Sequence, residues 1–205
     1  NLSFTLANYT YGFEEANVEH AYRNSLVLAG WCAFLGAAIT SAGAYWVDKT
    51  RGADFLRPVI RLQAMLPMAV PGLVLGIGYI LFFNNPHNPL GVLYGTMAIL
   101  VICTIVHFYS SSHLAAVTAL KQIDPEFESV SASLKVPFYK TFVRVTVPVC
   151  LPTVIDIGRY YFVNAMTTIS AVVFLYSPET KVASIAILNL DEAGETGAAA
   201  ACAMM

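Results

Sequence analysis

The stretch DPEFESVSASLKVPFYKTFVRVTVPVCLP, residues 124–152, is a polar, charged segment between long apolar ones, and the chain is organised around it. Asp124 and Pro125 predict the start of a helix, because Asp caps free backbone N–H groups and Pro suits the first turn. Pro137 interrupts this helix, and a second helical run follows. The pattern predicts two short helices that face water, with an ordinary amphipathic loop as the alternative interpretation.

The composition indicates a membrane protein. Hydrophobic residues make up 57% of the 205 positions, charged residues only 12%, and the mean hydropathy is +0.63. This is far more apolar than an average soluble domain. The cysteines lie singly in apolar segments, without the paired spacing of a disulfide framework or a zinc site; they are Cys32, Cys103, Cys150 and Cys202.

Apolar runs long enough to cross a bilayer as helices predict a polytopic, all-α transmembrane bundle that forms one domain over residues 1–205. The predicted spans are about 24–47, 62–83, 92–120 and 149–176, with the start of another at 198–205. Pro67 and Pro71 predict that the second span is bent or partly unwound. The short final run suggests a fragment that lacks a flanking helix at one or both ends.

The distribution of charge predicts the orientation. The loops around residues 48–61 and 121–144 hold 8 of the 11 Lys and Arg residues. Basic loops stay on the cytoplasmic side of a membrane. We therefore expect the loop 121–148 to be cytoplasmic. The acidic residues predicted to lie outside are Glu14, Glu15, Glu19, Glu179, Asp191, Glu192 and Glu195.

The spacing within residues 129–148 resembles the EAA signature of the permease subunits of type I ABC importers, which reads E-A-A, three residues, G, nine residues, I-x-L-P. The spacing is kept in full, whereas several letters differ. Ser129 replaces the acid, with Glu128 beside it, and Lys135 replaces a Gly that supplies freedom at a bend. The matched positions are Ser129, Val130 and Ser131 for E-A-A, Lys135 for G, and Val145, Val147 and Pro148 for I-x-L-P.

The resemblance implies a MetI-like helix bundle in a bacterial inner membrane, with a coupling helix that docks on an ATP-binding subunit. The implied coupling residues are Asp124, Glu128, Ser129, Ser131, Ala132 and Lys135. The implied partners are ABC ATPase subunits, a second permease half or homologue, a periplasmic substrate-binding protein and the lipid bilayer, without nucleic acid. The chain has no G-K-[ST] motif, so ATP is expected to be hydrolysed by a partner, with no cofactor bound here.

Further segments resemble the second half of permeases for 2-aminoethylphosphonate and their ferric iron relatives. These are LPMAVPGLVLGIGY (66–79), LYGTMAIL (93–100), QIDPE (122–126) and MTTISAVVFLYSPETKVASIAILNLDEAG (166–194). We expect 2-aminoethylphosphonate as the substrate, with ferric iron as the alternative. No His, Asp, Glu and Tyr cluster shows metal-ligand spacing, and we predict no metal site.

Polarity at membrane depth, together with the family's use of this helix, predicts a translocation path that includes Asn164, Thr167 and Thr168. A secondary carrier or channel is the alternative from another class; its proton or ion relay would use Asp156, Arg159, His107 and His113. An intramembrane enzyme is disfavoured, because the chain has no G-x-S-x-G and no H-E-x-x-H motif. We therefore predict no catalytic residue.

Overall fold

The computed structural model describes residues 9–10, 18–49, 55–124 and 126–204, and this part of the chain is helical, without a β-strand. The predicted positions Glu14, Glu15 and Pro125 lie outside the described residues. Within the described ranges, no side-chain placement is given for Asp48, Lys49, Leu56, Glu128, Ala132, Phe138 and Tyr139.

The described helices are separated mostly by short connections. In chain order they are α1 (Val18–Lys49), α2 (Leu56–Ala69), α3 (Gly72–Phe83), a 3-10 helix (Pro89–Leu93), α4 (Met97–Lys121), α5 (Glu126–Ser133), α6 (Phe138–Thr141), a π-helical segment (Phe142–Thr146), α7 (Val147–Thr167), α8 (Ala183–Glu192) and α9 (Thr196–Ala203).

Two described helices have both the length and the apolarity of a membrane span. They are α1, over Val18–Val47, and α4. Helix α4 begins at Met97 rather than at 92, because Pro89–Leu93 forms a separate 3-10 helix. Asn88 caps that helix, since its side-chain oxygen accepts the N–H of Leu90 at 3.0 Å.

The predicted second span is broken into α2 and α3, which are bent by 107° and count as a third span only if taken together. The break falls at Val70, whose backbone is extended, with φ −101° and ψ 119°. Pro71 causes this, because a proline disfavours the helical conformation in the residue before it. The predicted bend is therefore confirmed.

A side chain from α4 is inserted into the end of α2. Ser110 Oγ donates to the carbonyl oxygen of Ala64 at 2.7 Å and accepts the N–H of Met68 at 3.2 Å. These two backbone groups are four residues apart and would bond to each other in a regular helix. The serine hydroxyl thus bridges the opened turn beside Pro67 and satisfies both groups.

The predicted fourth span is longer than the helix in the structure. Helix α7 ends at Thr167, and residues 168–182 form turns instead of continuing to 176. Contacts distant in sequence hold these turns. The side-chain amide of Asn24 donates to the carbonyl oxygens of Glu179 and Lys181 at 2.8 and 3.0 Å, and Ser177 Oγ donates to that of Gly95 at 3.0 Å. These hydrogen bonds take the place of the backbone hydrogen bonds of a helix. They involve residues distant in sequence, so the local pattern of apolar residues does not reveal them.

The chain divides into two compact units. The first contains residues 1–31, 71–104 and 163–205, and the second contains residues 32–70 and 105–162. In the first, Val172 and Leu175 of the turn segment are fully buried. In the second, the buried Tyr161 lies under Gly36, and its hydroxyl is hydrogen-bonded to Thr40 Oγ1 at 3.0 Å. Each unit therefore has its own core.

Candidate functional site

Helix α5 starts as the sequence predicts. Asp124 Oδ1 accepts the backbone N–H of Glu126 at 2.9 Å, and the backbone carbonyl of Asp124 accepts the N–H of Phe127 at 3.2 Å. The carboxylate thus satisfies one of the free N–H groups of the first turn. The predicted Asp124 cap is confirmed.

Helix α5 ends in a tight left-handed turn at Lys135. The φ angle of this residue is +52°, and the N–H of Val136 donates to the carbonyl oxygen of Ser131 at 3.0 Å. This is a Schellman ending, in which the left-handed position is usually Gly. The EAA signature has Gly at this position. In this chain a lysine adopts the left-handed conformation, which has a steric cost that a glycine would not have.

Hydroxyl groups hold the turn against the next helix. Ser131 Oγ and Thr141 Oγ1 are hydrogen-bonded, which joins α5 to α6. Ser133 Oγ donates to the carbonyl oxygen of Ser129 within α5 at 2.9 Å. Of the predicted coupling residues, Ser131 therefore positions the helix, whereas Ser129 and Lys135 are exposed. The side chains of Glu128 and Ala132 lie outside the described set.

The open side of α5 is apolar. Phe127, Val130 and Leu134 are 53%, 57% and 70% exposed, and their spacing places them on one helical face. They line a groove of about 430 Å³ whose polar members include Lys140 and Arg144. We call this groove the coupling surface. Sequence reasoning named the polar residues and missed the three apolar ones, although their spacing was visible in the sequence.

A π-helical segment connects the coupling surface to α7. The N–H of Val147 donates to the carbonyl oxygen of Phe142, five residues back. Pro148 accounts for this wider turn, because its ring would clash with the carbonyl of Arg144 in a regular helix. The chain is consequently helical without a gap from Phe138 to Thr167.

The predicted path residues lie at the C-terminal end of α7 but do not share one environment. Thr168 is buried, and its carbonyl oxygen accepts from Ser184 Oγ at 2.8 Å. Thr167 is exposed and donates to the carbonyl oxygen of Val163 in its own helix at 3.2 Å. Asn164 is half-buried one turn earlier. Thr168 is thus a core residue, and Thr167 and Asn164 stay as candidates.

The chain matches the family model described as "Binding-protein-dependent transport system inner membrane component" over residues 23–205. It belongs to this family. The resemblance to permease subunits of type I ABC importers is thereby confirmed, and so is the prediction of a multi-pass inner-membrane protein. The family is a transport component, in agreement with the prediction that the chain is not an enzyme.

Similar curated proteins are named for ferric iron. The chain is 35% identical to the ferric transport system permease protein FbpB of Actinobacillus pleuropneumoniae over 97% of its own length and 29% of that protein. It is 34% identical to the putative ferric transport system permease protein FbpB 1 of Haemophilus influenzae, over 89% and 28%. The chain spans less than a third of the length of these relatives. They do not support the predicted preference for 2-aminoethylphosphonate, and the ferric iron alternative fits better.

Solved structures agree on the fold. One is a bacterial alginate ABC transporter in complex with an alginate pentasaccharide-bound periplasmic protein, with a TM-score of 0.80 and 17% identity, covering 97% of this chain and 76% of that chain. A second, a bacterial ABC transporter involved in alginate import, has a TM-score of 0.82 at 16% identity, covering 97% and 77%. The predicted all-α permease fold is confirmed.

Proposed function

We propose that this chain forms part of the permease of a ferric iron importer. The observation that carries the proposal is its identity of 34 to 35% with two permeases named for ferric transport, over 89 to 97% of its length. The coupling surface supports the permease part of the proposal, because it combines the signature spacing with the turn that the signature glycine serves.

The proposed mechanism is alternating access driven from the cytoplasm. A separate ATPase inserts apolar side chains into the groove lined by Phe127, Val130 and Leu134, and Lys140 and Arg144 orient it. Closure of the ATPase dimer moves the coupling surface as a rigid body. The gap-free helix that leads into α7 then biases the bundle between inward-facing and outward-facing states.

The partners in this proposal are two ATPase subunits that hydrolyse ATP, a second permease half or homologue, a periplasmic binding protein and the bilayer. The chain itself binds no cofactor. Asp124, Ser129 and Lys135, which are exposed, contribute polar contacts around the apolar centre of the interface. Such an arrangement, with an apolar core and a polar rim, is typical of protein interfaces.

The substrate is tested by ATP hydrolysis of the reconstituted transporter with its binding protein. We expect the binding protein loaded with ferric iron to stimulate hydrolysis, whereas the same protein offered 2-aminoethylphosphonate leaves the rate at its basal value. Stimulation by the phosphonate alone would refute the iron assignment.

The coupling surface is tested by Phe127→Ala with Gln122→Ala as the control. Both residues are exposed, but only Phe127 lines the groove. Truncation of a central aromatic anchor typically costs about 2 kcal/mol of binding energy, or about a 30-fold loss of affinity. Co-purification and titration of the ATPase measure this, and equal affinity for both variants would contradict the docking role.

A secondary carrier is the second candidate, and one observation favours it. His113 of α4 is buried, and both its ring nitrogens lack a hydrogen-bond partner among the described residues. An ionisable residue of this kind within a span is a candidate for ion translocation. The two functions differ in one measurement: a secondary carrier takes up substrate without the ATPase, and the proposed importer does not.

A further inference from the structure

A second groove lies within the second unit, between the C-terminal parts of α1 and α4 and the start of α7. Its volume is about 430 Å³, which falls in the range of about 300 to 1,000 Å³ that small-molecule sites have. Its lining is mostly apolar and shares no residue with the coupling surface. We call this space the apolar groove.

The apolar groove extends along the helices. On α1 its lining reaches from Ala38 to Trp46, about 12 Å, and on α7 from Val147 to Ile157, about 15 Å, at about 1.5 Å per residue. Helix α1 has the length and the apolarity of a membrane span. The groove therefore runs in the same direction as the acyl chains of a surrounding bilayer, and it fits an extended hydrocarbon chain.

One end of the groove lies next to the basic loops of the chain. Tyr45 and Trp46, residue types that suit the headgroup level of a membrane, line this end, and Trp46 is 73% exposed. On α4 the lining ends at Leu120, and the next residue, Lys121, is exposed. The loops around residues 48–61 and 121–144, with 8 of the 11 Lys and Arg residues, follow directly. Cations at this position attract the anionic lipids of the cytoplasmic leaflet.

The wall of the groove also carries a hydroxyl group that can donate to a ligand. Ser41 Oγ is buried and makes no hydrogen bond within the part of the chain that the structure describes. Buried hydroxyl groups normally have a partner, so an acceptor that enters the groove is favoured at this point. Ser41 lies about 7.5 Å deeper than Trp46 along α1. This is below the headgroup level, where the ester carbonyl of a phospholipid joins the headgroup to its acyl chain.

We propose that the apolar groove binds an acyl chain of an anionic phospholipid from the cytoplasmic leaflet. The phosphate lies near Lys121, an ester carbonyl accepts from Ser41 Oγ, and the chain fills the apolar part of the groove. A transmembrane helix from elsewhere in the transporter is the competing occupant, but an apolar helix gives the cations at the end of the groove no counter-charge. The inference depends on the inner-membrane location and not on the transported substrate.

A bound lipid would act on the connection between the coupling surface and α7. Phe142 and Thr146 of the π-helical segment form part of the wall of the groove. A ligand stabilises the conformation to which it binds. The lipid therefore favours the packing of this segment against α1 and α4, and the site is a place where membrane composition influences the transporter.

The occupant is identified by photolabelling of the complete transporter in nanodiscs of phosphatidylcholine. The probe is a phosphatidylglycerol with a diazirine in one acyl chain, and mass spectrometry locates the labelled residues. We expect label on Leu151 and Val154 in the groove, and unlabelled phosphatidylglycerol should compete for it. Ile155 is the internal control, because it is 61% exposed and lies outside the groove, so it reports contact with bulk lipid. Label on Ile155 without label in the groove would overturn the proposal and favour a protein helix as the occupant.

Ala42→Phe tests the space itself, with Ile39→Phe as the matched control. Both residues lie on α1 and are exposed, but only Ala42 lines the groove. A phenyl ring at position 42 occupies the space of the acyl chain, and we expect labelling of Leu151 and Val154 to fall about tenfold. Ile39→Phe should leave that labelling unchanged. Equal labelling of the groove in both variants would contradict the site, and the wild-type experiment decides the question even if Ala42→Phe does not assemble.

Lys121→Gln tests the headgroup, with Lys140→Gln as the control. Both lysines are exposed and lie in the basic segment 121–144, but Lys140 lines the coupling surface. The measurement is the ratio of groove labelling by phosphatidylglycerol to that by a phosphatidylcholine with the same diazirine chain. Lys121→Gln should lower this ratio about fivefold, because one cation near the surface contributes about 1 kcal/mol to the attraction of anionic lipid. Lys140→Gln should leave it unchanged. Equal labelling of the wild-type groove by the two lipids would refute the anionic assignment.

Discussion

Replacement of Ser110 by alanine tests how the broken helix is held together. The hydroxyl of Ser110 makes two hydrogen bonds, to the carbonyl of Ala64 at 2.7 Å and from the N–H of Met68 at 3.2 Å, and both Ser110 and Ala64 are buried. Its removal leaves two backbone groups without a partner. Each lost bond is worth about 1 kcal/mol, and a buried unsatisfied group costs about 1 to 3 kcal/mol. We expect a total loss of about 2 to 4 kcal/mol.

The assay is thermal unfolding of the purified chain in detergent, followed by tryptophan fluorescence. For a protein of this size, 1 kcal/mol shifts Tm by about 2 to 4 °C, so Ser110→Ala should lower Tm by about 4 to 16 °C. Ser111→Ala is the control, because Ser111 is the exposed neighbour on the same helix. A Tm within 1 °C of wild type for Ser110→Ala would mean that α2 closes its own turn and that the inserted hydroxyl is not needed.

Three further tests concern other positions, and two of them include a control substitution. Lys135→Gly should stabilise the end of α5 by about 1 kcal/mol and slow its amide hydrogen exchange about fivefold, whereas Lys135→Ala keeps the strained φ of +52° and should not. Gly76→Ala should lower Tm, because its Cβ would lie 3.2 Å from a backbone carbonyl oxygen. Gly78→Ala, with nothing within 4 Å, should raise Tm by about 2 to 4 °C, because alanine exceeds glycine in helix propensity by about 1 kcal/mol. Tyr161→Phe should cost about 1 to 2 kcal/mol in chemical unfolding, since Thr40 loses its 3.0 Å partner; an unchanged midpoint would remove this bond from the core.

Features that depend on neighbours in sequence were predictable. The Asp124 cap and the interruption near Pro71 rest on the conformational preferences of one or two residues, and both are present in the structure. The long apolar runs of α1 and α4 likewise needed only composition and length. Residues 168–176 were predicted as helix because they are apolar, yet the structure folds them into turns, and the carbonyl oxygens of Thr168 and Ala171 accept from the side chains of Ser184 and Cys103.

The sequence drew attention to the surface around α5 but not to its apolar character, and its coupling role stays a prediction. The spacing of the signature located it, and the bend at Lys135 was expected at the glycine position. Its polar residues drew attention because they interrupt apolar sequence, whereas Phe127 and Leu134 read as ordinary apolar residues until the structure showed them exposed. Burial depends on which elements pack together, and no local pattern reports it.

The sequence by itself determined the class of the protein, the membrane location, the helices with strong apolar runs and the start of α5 at Asp124. These features depend on composition and on interactions between residues a few positions apart, which do not require the helices to pack. Only the tertiary structure decided that Ser110 completes the turn of α2, that α7 stops at Thr167 and that the hydroxyl of Tyr161 bonds to Thr40. Each of these requires groups that are distant in the chain to come within hydrogen-bond or contact distance, which happens only when the helices pack.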